Sequence, residues 1–429
     1  MIPYIKSPVP IYVYPHAEEY IGTAHLDRFK AVVNIFRHSI EQNRKLSTAR
    51  DWMEKISYSL AMCGTDMASA KASIVVSCPS GNDKMVRQVM IVLSKEHILD
   101  QYAHGHTEVS YQLYIWREAF KYVGGTGDFV DIHFNSGYSL CGSPVTDVSE
   151  GVRLSTVACI IRIESEFFAL TSAHPFESEE EPQDDPETPE DTESNPIIFG
   201  GVEYDFTETP SPQSRPTRSI NAKHSSHTFE YKQRLFRRPV ISSSLSTLKC
   251  VPGQPNLDWS LLKLQDAKNV ELNSVQIMGP QQVEKTYYID TEPRTRPSKQ
   301  RHVRIITSHH TESKGTISPI PTYISNQRDN HDLCEVWTVS LTYGRGLEIG
   351  DSGSLVVDEE TYEAYGHVIA VDPMGRIFVI PLVNTLSQIQ GLFGTMDVDL
   401  FSKDWIMLPS RPFIPPNPYD STGWHKLGG

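Results

Sequence analysis

Between residues 156 and 380, apolar residues come in short runs and never in long ones. Thr156–Ile163, Glu166–Ser172, Val240–Leu245, Trp259–Leu264, Tyr287–Asp290, His302–Ile306, Thr316–Tyr323, Glu335–Leu341, Ser354–Val357, His367–Val371 and Arg376–Ile380 each hold four to eight residues. They are rich in Val, Ile, Thr and aromatic residues, and turn-forming residues separate them, which suits strands better than helices. A succession of short strands buries its apolar faces only by closing into a barrel or stacking as a sandwich. Leu386–Phe393 reads as a helix that closes this all-β region.

The preceding residues have a different texture. Ile21, Phe29, Val32, Val33, Phe36 and Ile40 share one helical face. Residues 18–62 accordingly read as helical, with Ser47 as the N-cap of a second helix through Trp52, Ile56 and Leu60. A strand at Ser73–Ser77, a helical stretch from Lys84 to Tyr102 and a strand at Val109–Trp116 complete an α+β module. Gly124, Gly125 and Gly127 break the chain there, so we assign residues 1–127 to this module and 128–398 to the β domain. Residues 177–196 are acidic and proline-rich, too polar to pack, and read as a disordered insertion. Residues 399–429 form a proline-rich tail.

The net charge of −14 points at first to a cationic partner, but ten of those excess acids lie between Glu177 and Glu193. The rest of the chain is nearly balanced, which argues against nucleic-acid binding. No stretch of some eighteen apolar residues offers a membrane span. Pro3, Pro8, Pro10 and Pro15 interrupt the opening residues, so no secretory signal is expected. The six cysteines are scattered without C-x-x-C pairs, which fits free thiols in an intracellular, cytoplasmic protein and leaves no zinc site.

Three segments carry chemistry. Leu170–His174 ends a strand on a histidine, Asp258 opens the strand that begins at Trp259, and Gly350–Ser354 is a glycine-flanked turn around Ser352. A serine hydroxyl alone is a poor nucleophile at neutral pH. His174 could take its proton, and Asp258 could fix the histidine tautomer and stabilise the imidazolium. The amides of Gly350 and Ser352 could converge as an oxyanion hole. One histidine among sixteen means little; the three segments in this order mean more.

LTSAH, DWSLL and GDSGS resemble the signatures of the trypsin/chymotrypsin-like serine peptidases, in that family's order of His, Asp and Ser. An α/β-hydrolase runs Ser, Asp, His and a subtilisin Asp, His, Ser. The resemblance covers residues 148–394 and implies a double β-barrel, no cofactor, and a peptide or protein substrate. It also implies that Ala370, Val371 and Asp372 form the substrate-binding edge. Gly346, six residues before the serine, implies a neutral or apolar P1 residue unless Asp372 lines the pocket instead. The whole chain is also similar to fungal proteins that place an α+β module before such a domain, on the pieces IVVSC, LTSAHPF, LDWSLL, GDSGSLVVD and YGHVIA.

Departures from the secreted members matter. Pro175 stands where they carry a cysteine. No Ile-Val-Gly-Gly-like activation site precedes the domain, the nearest stretch being Gly151–Ser155, so Asp351 needs a base or backbone amides as its partner. Two functions remain open: a serine endopeptidase, or a catalytically silent protease-like fold that binds a partner. Residues 1–127 offer a surface for a protein partner in either case.

Overall fold

In the computed structural model, the described residues are 11–14, 20–103, 109–124, 130–133, 139–147, 152–176, 232–236, 241–242, 255–264, 271–278, 284–292, 295–307, 313–325, 333–344 and 346–402. The acidic insertion, Cys250 and the tail beyond residue 402 lie outside them. Helices Thr23–Glu41, Asp83–Leu93 and Glu96–Tyr102 pack on one face of a sheet formed by Ser57–Gly64, Lys71–Ser77 and Gln112–Trp116. The first helix buries Phe29, Val32, Val33, Phe36 and Ile40, each worth about 1.5–3 kcal/mol when fully removed from water. The side chain of Asn82 caps the helix Asp83–Leu93, accepting from the Met85 amide at 3.1 Å.

The helical expectation for residues 18–62 fails after Glu54. The short second helix spans Arg50–Glu54, its N-cap is Ala49 rather than Ser47, and Ile56 and Leu60 lie outside it. Ser57–Gly64 is instead a strand, with Tyr58 and Leu60 facing the helices and Ala61 and Cys63 facing the opposite cluster. The four-residue spacing of Trp52, Ile56 and Leu60 imitates a helix, but a period of two takes over from Ile56.

Six strands form a closed ring. In order around it they are Arg301–Ile306, Ser313–Ile317, Cys334–Tyr343, Ile377–Pro381, Ala364–Val371 and Leu355–Asp358, and the last pairs back with the first. All six pairings are antiparallel. Val303, Ile305, Ile317, Trp337, Val339, Val356, Val368, Ile377 and Val379 fill the interior. The strand expected over Thr316–Tyr323 is two strands, Ser313–Ile317 and Thr322–Ile324. Pro319 and Pro321 explain the break, since neither has an amide to give a ladder.

Thr322–Ile324 leaves the barrel and pairs with Ser57–Gly64 on one side and Cys334–Tyr343 on the other. Lys121–Tyr122 pairs with Val371 and Ala370. The boundary drawn at residue 127 is therefore crossed by two strand pairings. A second β unit holds a five-stranded sheet containing Cys159–Ile163, Glu166–Ser172 and Trp259–Lys263, and a four-stranded sheet in the order Lys232–Phe236, Val130–His133, Pro144–Asp147 and Arg153–Thr156. The expected hairpin turns at Glu164-Ser165, with Glu164 at φ 54°. The strand expected at Tyr287–Asp290 runs earlier, over Glu284–Tyr288, and pairs with Ser274–Met278. The closing helix is Leu382–Phe393, and strand Val398–Leu400 joins the five-stranded sheet beyond the boundary drawn at 398.

Leu170, Trp259 and Leu261 pack with Leu355, Val357, Ile369 and Phe378 in the seam between barrel and five-stranded sheet. Among the described residues, Cys63, Cys78, Cys141, Cys159 and Cys334 are free thiols, and no helix is long and apolar enough to cross a membrane.

Candidate active site

The three chemistry-bearing segments meet at that seam. Strands Glu166–Ser172 and Trp259–Lys263 are antiparallel neighbours with Ser172 opposite Trp259, so the residues just beyond the ladder, His174 and Asp258, fall side by side. Asp258 Oδ1 accepts from the amides of Ala173 at 3.1 Å and His174 at 2.8 Å. Its Oδ2 lies 2.7 Å from His174 Nδ1. Asp258 is buried at 2% exposure and sits at φ 49°, a conformation uncommon outside glycine, although Asp and Asn tolerate it best. The Asn256 side chain accepts from its amide at 2.9 Å, and its carbonyl accepts from the Ala173 amide at 3.1 Å. Such a backbone outlier persists only where surroundings over-determine it.

Across the seam, His174 Nε2 is 3.2 Å from Ser352 Oγ. The Ser352 turn is held from both sides. Its carbonyl accepts from the Thr156 amide at 2.7 Å, the Thr156 hydroxyl donates to the Gly350 carbonyl at 2.8 Å, and the Gly353 amide donates to Val368 at 2.7 Å. Gly353, at φ 86°, admits no side chain: a Cβ there would lie 2.1 Å from the Thr156 carbonyl oxygen. Asp351 is the turn's buried carboxylate. It forms an ion pair with Arg153 at 3.1 Å and accepts from the Glu348 amide at 2.8 Å. Arg153 also donates to the Ile349 carbonyl at 2.8 Å, so one guanidinium ties the loop before the serine to its carboxylate.

The amides of Gly350 and Ser352 do converge, and they converge on a carbonyl of the same chain. Val123 O accepts from Gly350 N at 2.6 Å and from Ser352 N at 3.3 Å. Val123 N donates to Ile369 O at 3.3 Å, continuing the antiparallel pairing of Lys121 with Val371 and Tyr122 with Ala370. The Tyr122 ring lies 4.4 Å from the His174 ring, centroid to centroid. Val123 is buried against the barrel-interior cluster that Leu347 and Val371 also join.

Gly346 lies exposed, with nothing within 4 Å of a Cβ built on it. The Asp372 carboxylate is engaged within its own turn, accepting from Arg376 Nε at 2.7 Å and from the amides of Met374 and Arg376. Arg376 also donates to Ser59 Oγ at 3.0 Å, joining that turn to the N-terminal sheet. His367 is completely buried, with Nε2 3.3 Å from the Asp258 carbonyl, and desolvation pushes its pKa down to about 4.

Sequence reasoning missed Arg153, Ser172 and the segment Phe120–Gly124. Arg153 is the basic residue of the stretch Gly151–Ser155, and the need of Asp351 for a base or backbone amides was the signal for it. Ser172 hydrogen-bonds Ser352 through their hydroxyls, which nothing in the LTSAH motif demands. The aromatic run before Gly124 reads as the end of a module and carries no sign of the cleft it enters.

No family model matches the chain. It is similar over 285 residues, at 23% identity, to a gramillins biosynthetic cluster protein of Gibberella zeae, covering 62% of this chain and 32% of that protein. The chain thus spans about a third of the length of this curated relative. Among solved structures it is similar to Cellulomonas bogoriensis chymotrypsin, at TM-score 0.24 and 14% identity, over 34% of this chain and 71% of that one. It is also similar to Thermobifida fusca protease A, at TM-score 0.29 and 11% identity, over 65% of this chain and 98% of that one. Likeness this slight adds nothing to what the hydrogen-bond geometry carries.

Proposed function

We propose that this chain is a serine endopeptidase of the chymotrypsin type, the closed barrel and the second β unit forming its two halves. The supporting observation is one chain of contacts: Asp258 to His174 at 2.7 Å, His174 to Ser352 at 3.2 Å, and two amides converging on one carbonyl oxygen. In this reading Ser352 Oγ attacks a peptide carbonyl while His174 Nε2 takes its proton. Asp258, held by two amides, keeps the Nδ1 proton directed at itself. The amides of Gly350 and Ser352 stabilise the oxyanion, at roughly 3–4 kcal/mol for each donor. His174 then protonates the leaving amine, and water hydrolyses the acyl-enzyme.

Arg153 replaces the freed N-terminus that secreted relatives use to organise the loop, so the hole needs no activating cleavage before residue 151. Leu347 and Val371 give the pocket an apolar character suited to a small aliphatic P1 residue. The free thiols support a reducing compartment. A silent binding module is the second reading, favoured by the cleft's being filled by Val123.

The two readings separate on fluorogenic peptides with P1 valine. The endopeptidase hydrolyses them once the covering segment is displaced, and Ser352→Ala abolishes this. Turnover unchanged by Ser352→Ala, or none with the cleft open, contradicts the reading.

A further inference from the structure

The segment that fills the cleft lies there as a substrate would. Lys121 and Tyr122 add an antiparallel strand to the edge at Ala370 and Val371, the main-chain mode by which extended peptides bind a sheet. Phe120 anchors the run, its ring 5.6 Å from that of Phe378 and 5.4 Å from that of Tyr122. Val123 buries its side chain at 7% exposure and presents its carbonyl to both amides of the hole. The next residue passes under the imidazole. A Cβ at Gly124 would lie 2.4 Å from His174 Nε2 and 2.6 Å from Pro175 Cγ, so any side chain directly after Val123 must displace the imidazole or the segment itself.

A segment that merely covered the cleft would need neither a carbonyl in the hole nor a glycine against the base. We infer that the chain is its own substrate and that Ser352 cleaves the Val123–Gly124 bond. This rests on the endopeptidase reading above. Ser352 Oγ bonds to the Val123 carbonyl carbon and passes its proton to His174. The Val123–Gly124 C–N bond breaks, and His174 delivers that proton to the Gly124 nitrogen, which leaves as an amine. A water molecule, deprotonated by His174, then attacks the ester carbonyl; the bond from Ser352 Oγ to the Val123 carbonyl carbon breaks, His174 returns the proton to Ser352 Oγ, and the Val123 carboxylate is freed.

Cleavage does not release the N-terminal part. Ser57–Gly64 stays paired with Thr322–Ile324, and Ser59 stays bonded to Thr322 at 3.1 Å and to Arg376 at 3.0 Å. The product is a nicked complex of residues 1–123 and 124–429, with the new Val123 carboxylate free to leave the cleft and open it to other peptides.

The test is denaturing intact-mass analysis of the full chain over time, with N-terminal sequencing of the fragments. The wild type resolves into 1–123 and 124–429 at a rate independent of protein concentration, while Ser352→Ala stays one chain. Gly124→Val stays uncut and, because its side chain expels the segment, reacts with a fluorophosphonate probe. Val123→Asp, which puts a charge in the apolar pocket, provides the same comparison if Gly124→Val does not fold. An uncut wild type beside a labelled Gly124→Val means an activated serine whose substrate lies elsewhere, and overturns the inference alone. An uncut wild type with both variants unlabelled overturns the endopeptidase reading too. Cutting at the same bond in Ser352→Ala assigns the cleavage to another protease and also overturns it.

Discussion

Arg153 is the residue on which the Ser352 turn most depends. It forms an ion pair with Asp351, whose side chain is 1% exposed, and it braces the Ile349 carbonyl one residue before Gly350. Replacing it with Met removes the guanidinium from a buried ion pair, a change that costs about 3–5 kcal/mol. We expect Arg153→Met to lower the midpoint of urea unfolding and to abolish probe labelling, with the His174–Asp258 pair untouched. Labelling at the wild-type rate would mean the turn holds without the guanidinium. His367 gives a second prediction. Its pKa is near 4 when buried and about 6.5 in the unfolded chain, so between these values only the unfolded state takes up the proton. Stability contributed by the neutral ring is complete above pH 6.5 and falls as pH drops toward 4, by roughly 1.4 kcal/mol per unit at most. Urea titrations from pH 7 to 4.5 test this, since His367→Gln should show a shallower decline than the wild type; identical slopes would contradict the burial account.

At the scale of elements, the sequence carried the β architecture well and its junctions poorly. Strands with apolar runs bounded by turn residues, such as Trp259–Lys263 and the β-branched Ile377–Pro381, were legible because length and composition agree. Ser57–Gly64 was not, because Ser, Ala and Gly dilute its alternation while Trp52, Ile56 and Leu60 imitate a helical stripe. Polar strands such as Ser274–Met278 and Pro144–Asp147 give almost no signal on their own. The meeting of His174, Asp258 and Ser352 was legible because each lies beside a strand end or tight turn that its local motif fixes. The occupied cleft was not, because pairing Lys121–Tyr122 with Val371 and Ala370 joins residues some 250 apart, which no local pattern encodes. The turn at Gly350–Ser354 carries its own prediction. Gly353→Ala must place a Cβ 2.1 Å from the Thr156 carbonyl at φ 86°, so backbone has to move. Strain of this kind costs about 1–2 kcal/mol for the left-handed conformation alone. Thermal unfolding should therefore shift downward by several degrees; an unchanged midpoint would show that the turn is looser than its hydrogen bonds imply.

For the whole molecule, the N-terminal sheet and the barrel share a continuous ladder through Thr322–Ile324. Removing residues 1–119 would expose that strand and the apolar residues Ile320 and Tyr323, which pack into the N-terminal core. Unpaired edges of this kind recruit other chains. The truncated protein should elute as aggregate on size exclusion, whereas the nicked complex of 1–123 and 124–429 should elute at the position of the intact chain. A monodisperse truncated monomer would show that the two parts are independent units.

The central claim is that Ser352 is an activated nucleophile facing a formed oxyanion hole. Reaction of Gly124→Val with a fluorophosphonate, read as one adduct by intact mass, tests it most directly. The account predicts a single adduct on Ser352, lost on adding either Ser352→Ala or His174→Ala. Absence of an adduct from a folded protein with its cleft open, or an adduct that survives either substitution, would contradict it.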